Sequence, residues 1–329
     1  MSPAESSQQN PGFVAVFVGA TRGIGLATLK ALTQRLKKPR FYVIGRSQAK
    51  FKPELAALRE CNPDAEIRFL KGKISLLRDV DDVCDRILQS ESHLDLLYMS
   101  PGSLAFGGPH YTEEKIDLCF ALSFYTRIRF IGRLLPALLQ ASKPRVLSVL
   151  AGGHETPLCT EGGDIGLQKE GNYTAPRAVN QVTTLHSLAF MHFASQYTKV
   201  SWLHVYPGWV ATDFLSDLLQ SAGTIGVVAG KIIAPVYRSI AMSEAECGKR
   251  QALYALSGRY PSRDMICAAM VDVNDQAPCH GMCSGFYRVL SDGRTATGDE
   301  VLGPLEREGW PLKVSEHIQE VFDRVLSQY

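Results

Sequence analysis

No apolar run in the chain is long enough to cross a bilayer. The most apolar window, IGVVAGKIIAPV from Ile225, is broken by Lys231 and Pro235, whereas a spanning helix needs about 20 apolar residues. Neither sign of charge predominates. Thirty-five basic and 33 acidic side chains leave a formal net charge of +2, which gives no long-range pull toward nucleic acid or an acidic membrane. Nucleic acid and stable membrane insertion are therefore not expected, and a small molecule is the expected partner. Cysteine pairs at metal-binding spacing are also lacking. Cys61, Cys84, Cys119, Cys159, Cys247, Cys267, Cys279 and Cys283 are scattered, which suits a reducing, cytoplasmic compartment. CHGMC at 279–283 has no second pair and reads as a loop, so no metal is expected. The opening MSPAESSQQN lacks a charged-then-apolar leader pattern, and residues 1–12 are expected to form a loose tail.

What is present is enough for a full core. With 329 residues and 45% hydrophobic content, one domain over 13–329 is expected, with an extension over about 258–329. Its organising stretch is FVAVFVGATRGIG, Phe13 to Gly25. An apolar run of strand character stops at Gly19, and small residues lead into a helical stripe of Leu26, Ala27, Leu29 and Leu32. Gly19 lets the chain turn off the strand, Gly23 lets backbone approach a pyrophosphate, and Gly25 lets the helix lie close on the sheet. The helix N-terminus then offers N–H donors to phosphate.

Further strands are predicted at FYVI (41–44), IRFL (67–70), LDLLYM (94–99), RVLSVL (145–150), VSWLHVY (200–206) and GFYRVLSDG (285–293, strand and turn). Helical patterns separate them, around Pro53 to Cys61 and from Leu76 to Ser90. Thr112 is the expected N-cap of a long helix running to about Gln140, with Glu113 and Glu114 in its first turn. Pro176 fits only a first helical turn, so a helix is expected to begin close to Tyr173. Further helices are predicted over Glu244 to Leu256 and Val314 to Leu326. Strands alternating with helices imply an α/β, Rossmann-type, doubly wound fold with a seven-stranded parallel sheet and helices on both faces.

The glycine spacing at 19, 23 and 25 resembles the TGxxxGxG turn of the short-chain dehydrogenase/reductase family. Tyr173 and Arg177 stand in register with that family's Y-x-x-x-K pair. PGWVATD matches its PG-x-x-x-T stretch through Pro207, Gly208 and Thr212. The resemblance covers about Phe13 to Ser257, and RVLSVLAGG and FYVIGRS resemble a divergent branch common in fungal specialised metabolism. It implies a dinucleotide held by Gly19, Thr21, Arg22, Gly23, Ile24, Gly25, Arg46, Ser47, Gly102, Pro207, Gly208 and Thr212. Arg46 just past the second strand, with Arg22, suits a 2′-phosphate and so NADP(H). Tyr173 is implied as general acid/base with Arg177 as its cation, and Phe214 to about Ser243 as a substrate flap. The helices bearing Leu118 to Leu139 and Tyr173 are implied to pair subunits in a homodimer or homotetramer.

The sequence departs from the family at several of these positions. Lys73 stands where the family has an Asp near adenine, Met99 and Ser100 replace the asparagines of NNAG, and Ser123 falls where it has an active-site Asn. Ala151 falls where it has the Ser that binds the substrate carbonyl. Arg177 cannot release a proton, so a relay through the usual Lys is cut. His154 and Thr156, just past the strand end, are candidates to replace the missing donor, while His186 reads as a packed or surface residue. Two classes of function stay open. One is an NADPH-dependent oxidoreductase acting on a secondary-metabolite carbonyl or alcohol; the other is a non-redox cyclase, isomerase or dehydratase on the same scaffold.

Overall fold

Apolar runs of five or so residues alternating with amphipathic stripes form β1 (Val14–Val18), α1 (Gly23–Arg35), β2 (Arg40–Gly45), α2 (Gln48–Cys61), β3 (Glu66–Lys71), α3 (Leu77–Leu88) and β4 (Leu96–Met99). Then come α4 (Leu118–Phe120), a π-helical turn (Ala121–Tyr125), α5 (Thr126–Gln140), β5 (Arg145–Val149), α6 (Ala175–Gln196) and β6 (Ser201–Val205). The chain closes with α7 (Glu244–Leu256), α8 (Arg263–Asp272), β7 (Phe286–Val289), α9 (Leu302–Arg307) and α10 (Trp310–Leu326). This computed structural model describes residues 12–103, 108–160, 163–213, 237, 239–272 and 284–327. The expected tail, most of the expected flap, the window from Ile225 and the CHGMC stretch lie outside the described residues. Among the described residues, no helix is long and apolar enough to cross a membrane.

All seven strands are parallel, in the order β3-β2-β1-β4-β5-β6-β7. Strands covered by helices on both faces are largely apolar, and every residue of β1, β4 and β6 is buried, the polar Ser201 and His204 of β6 included. One core cluster lies between the sheet and α3, α5, α6 and α10, and the other between the sheet and α1, α2 and α7. The order reverses between β1 and β4, which opens a crevice at the C-terminal strand ends, where open α/β sheets bind ligands. On one face α7 lies hard against α1. A Cβ on Gly248 would stand 2.4 Å from the Ala27 carbonyl carbon.

The start of the long helix differs from expectation. Thr112 is not its N-cap: the helical stretch begins at Leu118, capped by Asp117, whose side chain accepts from Cys119 N and Phe120 N. Two contacts account for the shift. Lys115 adopts a left-handed φ of 56°, which a right-handed helix cannot pass through. Glu114 reaches across to α3 and accepts from Leu77 N at 2.6 Å and Arg78 N at 3.2 Å, so its carboxylate serves a different helix's free donors.

Candidate active site

The turn between β1 and α1 is packed so closely that only glycine fits. Gly19 has a φ of +82°, and a Cβ there would stand 2.5 Å from Pro101 N. At Gly25 a Cβ would meet Gly19 O at 2.5 Å and Ser100 Oγ at 2.6 Å. Ser100 Oγ donates to Gly19 O at 3.2 Å, which staples the end of β4 to the turn. Gly23, with a φ of +61°, is different: among the described residues, the atom nearest its Cβ position is Thr212 Cγ2, at the ordinary contact distance of 3.7 Å. The N-cap residue of α1, Arg22, makes no side-chain capping bond, so that helix end presents backbone donors of the kind phosphates take. These features fit a dinucleotide pyrophosphate.

Most of the other expected cofactor residues stand at the C-terminal ends of strands or just past them. Thr21 Cγ2 lies 2.7 Å from the Cβ position at Gly45, at the end of β2. Arg46 is exposed just beyond it, and Ser47 caps α2 by accepting from Lys50 N at 3.3 Å. Ile24 packs into the core between α1 and the sheet. A Cβ on Gly102 would be 3.8 Å from Ser123 Oγ. Gly208, after Pro207, has a φ of +79° and faces Ser291. Lys73 is paired with Glu113 at 2.6 Å.

The expected pairing of Tyr173 with Arg177 is not what the structure brings together. Tyr173 precedes the Thr174 N-cap of α6, so helical i, i+4 geometry does not apply to it. The exposed Arg177 guanidinium turns back to the Gly171 and Asn172 carbonyls, at 3.4 Å each. The Tyr173 hydroxyl instead donates to Asp117 Oδ1 at 3.4 Å. Burial first, and then the Asp117 carboxylate, push the Tyr173 phenol well above its ordinary range. Ser123 is buried in the π-helical turn, an irregularity common at functional sites. Ala151 offers no hydroxyl. His154 is exposed, with its ring edge-on to Tyr206 at 4.2 Å. Thr156 is held by its backbone on Thr184 Oγ1. His186 is fully buried against Phe190. Among the described residues, no group of three or more His, Cys, Asp or Glu is arranged to hold a metal.

Two residues that sequence reasoning passed over belong here. Asp117 is one, and an Asp immediately before the apolar run LCFAL was a legible cap signal. The other is Arg127, 1% exposed in α5. It donates to Ser148 Oγ at 2.6 Å, Val149 O at 2.8 Å, Leu122 O at 3.3 Å and Pro101 O. It thus clamps the ends of β4 and β5 beneath the crevice. Burial pulls its pKa down to about 9, which still leaves a cation at neutral pH. An arginine between Thr126 and Ile128 in a core-facing stripe was its only sequence signal.

Comparison with known proteins agrees with this fold. A family model described as short chain dehydrogenase matches residues 13–222. The chain is 36% identical to "Oxidoreductase lepF" of Aspergillus flavus, covering 96% of this chain and 92% of that protein. It is 32% identical to "Oxidoreductase AN1596" of Emericella nidulans, over 96% and 94%. Among solved structures, a metagenomic short-chain oxidoreductase in complex with NADP superposes with a TM-score of 0.53 at 17% identity, over 76% of this chain and 94% of that one.

Proposed function

Because the chain belongs to the short-chain dehydrogenase family and is an oxidoreductase, we propose that it reduces a carbonyl group on a small molecule of the secondary-metabolite class, using NADPH. The observation that carries this reading is the meeting of two distant segments, with Thr212 Cγ2 3.7 Å from where a Cβ on Gly23 would stand. The Gly19–Gly25 backbone, Thr21, Arg22 and Thr212 would hold the phosphates, with Gly102, Pro207 and Gly208 bordering the nicotinamide end. Arg46, beside Ser47, would meet a 2′-phosphate. When bound, the nicotinamide supplies hydride to the carbonyl carbon.

The chain's own part is the proton. Tyr173 donates its O–H proton to the carbonyl oxygen as negative charge grows there. Its raised pKa keeps the phenol protonated at neutral pH, the form in which it can donate to a carbonyl oxygen. Arg127, under the strand ends, adds a fixed positive charge and holds the Pro101 and Val149 carbonyls in place. A second reading has one specific observation in its favour. Tyr173 is partnered by a carboxylate and not a cation, which suits a proton-moving isomerase, cyclase or dehydratase that does not turn the dinucleotide over.

Thermal shift and NADPH consumption separate the two. Saturating NADP⁺ is expected to raise Tm by several degrees, about 2.7 kcal/mol of stabilisation at 100 times Kd, and more than NAD⁺ does. Oxidation of NADPH against a panel of ketones and quinones is then expected to depend on Tyr173, with Tyr173→Phe losing it. No shift with either dinucleotide sinks the redox reading, and a shift without any turnover favours the second.

A further inference from the structure

The bend that leaves β5 is tied down by a buried chain of hydrogen bonds that the chemistry above does not use. The Ala151 backbone N–H donates to His204 Nε2 at 3.3 Å. His204 is fully buried on β6, and burial pulls its pKa down to about 3, so the ring is neutral. With Nε2 accepting, the single ring proton sits on Nδ1. Nδ1 lies 2.7 Å from Ser187 Oγ on α6 and donates to it. Ser187 in turn donates to Glu155 Oε1 at 2.6 Å.

The carboxylate closes the chain. Gly153 N–H also donates to Glu155 Oε1, at 3.1 Å, and Arg288 Nη1 on β7 donates to Oε2 at 3.2 Å. Burial pushes the Glu155 carboxyl up, but the Ser187 hydroxyl and the Gly153 N–H that donate to it hold it below the usual range, and it accepts as an anion. Each proton in the chain therefore has one direction, from the backbone of residue 151 to a carboxylate anchored on the last strand. The bend itself has no slack. A Cβ on Gly152 would lie 2.1 Å from His204 O, Gly153 takes a φ of +89°, and His154 N–H donates to Ala151 O at 3.0 Å. Beyond the bend the His154 ring stands exposed against Tyr206.

We propose that Glu155, Ser187 and His204 form a positioning relay that fixes the 151–154 bend at the substrate face, so that His154 is presented to the substrate in place of the side-chain hydroxyl missing at Ala151. The proposal rests on the reading of this crevice as the reacting site. The relay reaches the bend through two backbone N–H groups, those of Ala151 and Gly153.

The test uses the full chain with Ser187→Ala, Ser187→Thr and Glu155→Gln. Imidazole nitrogen NMR of the wild type is expected to show His204 as the Nδ1–H tautomer, which the Ala151 N–H fixes, with the Nδ1–H resonance shifting when Ser187→Ala removes its acceptor. In that variant the amides of 151–156 are expected to exchange about 10-fold faster or more. Turnover of 9,10-phenanthrenequinone with NADPH is expected to fall in kcat by about 10- to 100-fold, with the KM for NADPH unchanged. Ser187→Thr, which keeps the hydroxyl, is expected to restore it, and Glu155→Gln to lose kcat similarly. Wild-type kcat and loop exchange in Ser187→Ala overturn the relay, as does a Thr variant that keeps its Tm without regaining kcat. If the wild type consumes no NADPH with any carbonyl, the reductase reading fails. The relay is then decided by the His204 Nδ1–H resonance and the amide exchange, and unchanged values of both in Ser187→Ala overturn it.

Discussion

Arg46 and Asp117 each give the proposed reaction a measurable consequence. Arg46 is exposed at the end of β2, where a guanidinium can fork onto a 2′-phosphate. A hydrogen bond to a charged group contributes about 1.5–3 kcal/mol, so Arg46→Ala is expected to weaken NADPH binding by about 10- to 100-fold. NADH binding should barely change; equal losses for the two dinucleotides would remove Arg46 from 2′-phosphate recognition. Asp117 helps hold the Tyr173 phenol above its ordinary range. In the proposed reaction Tyr173 acts in its protonated form, so activity would be lost as pH rises through its pKa. Asp117→Asn removes the negative charge and lowers that pKa toward about 10. The alkaline fall in kcat/KM is therefore expected at lower pH in the variant than in the wild type. Asparagine keeps an oxygen for the Cys119 and Phe120 N–H groups, so the helix start is preserved. Superimposable pH profiles would take Tyr173 or Asp117 out of the proton transfer.

At the scale of elements, the glycine turn and most strands were legible because their signals are local. An apolar run, a sharp turn and a stripe can be read within a dozen residues. The beginning of the long helix was not, since Glu114 is drawn away to cap α3 and Asp117 takes over as cap. Both depend on neighbours remote in sequence. The closeness of α1 and α7 was equally hidden, as Gly248 carries no pattern of its own. Its Cβ position is 2.4 Å from Ala27 backbone, and backbone cannot swing aside as a side-chain end can. Gly248→Ala gains about 1 kcal/mol in helix propensity, yet overpacking of this kind costs about 1–3 kcal/mol. A net loss of stability is expected in urea denaturation; a gain would mean that the two helices separate easily.

Across the whole molecule, buried histidines link stability to pH. His186 and His204 are fully buried, and His317 bonds Tyr125 at 2.8 Å where α10 meets the π-helical turn. Burial lowers the pKa of all three. The unfolded chain takes up protons through the ordinary histidine range while the folded one does not, so stability is full above about pH 7 and falls below it. Each histidine that stays neutral contributes a slope of about 1.4 kcal/mol per pH unit. The depressed carboxyls of Glu155 and Asp164 act in the same direction at lower pH. Urea midpoints are expected to drop between pH 7.5 and pH 5, and a flat profile would contradict the burial. The same α10 lies over α6 and α3, with Phe322 under the Arg129 guanidinium of α5. Pairing of subunits through α5 and α6, as the family resemblance implied, would have to accommodate α10 on that face.

By itself the sequence determined the layered parallel fold, the glycine turn and the family, because apolar periodicity and the glycine spacing act within a few neighbouring residues. It also located Tyr173 as the residue to watch. Only the tertiary structure decided what Tyr173 meets. Asp117 lies 56 positions away, and Arg177, four positions on, points elsewhere. Arg127 under the strand ends and the Glu155, Ser187 and His204 chain were decided there too. A buried polar group takes its partner from whichever element packs beside it, and side-chain identities along one chain do not state which element that is.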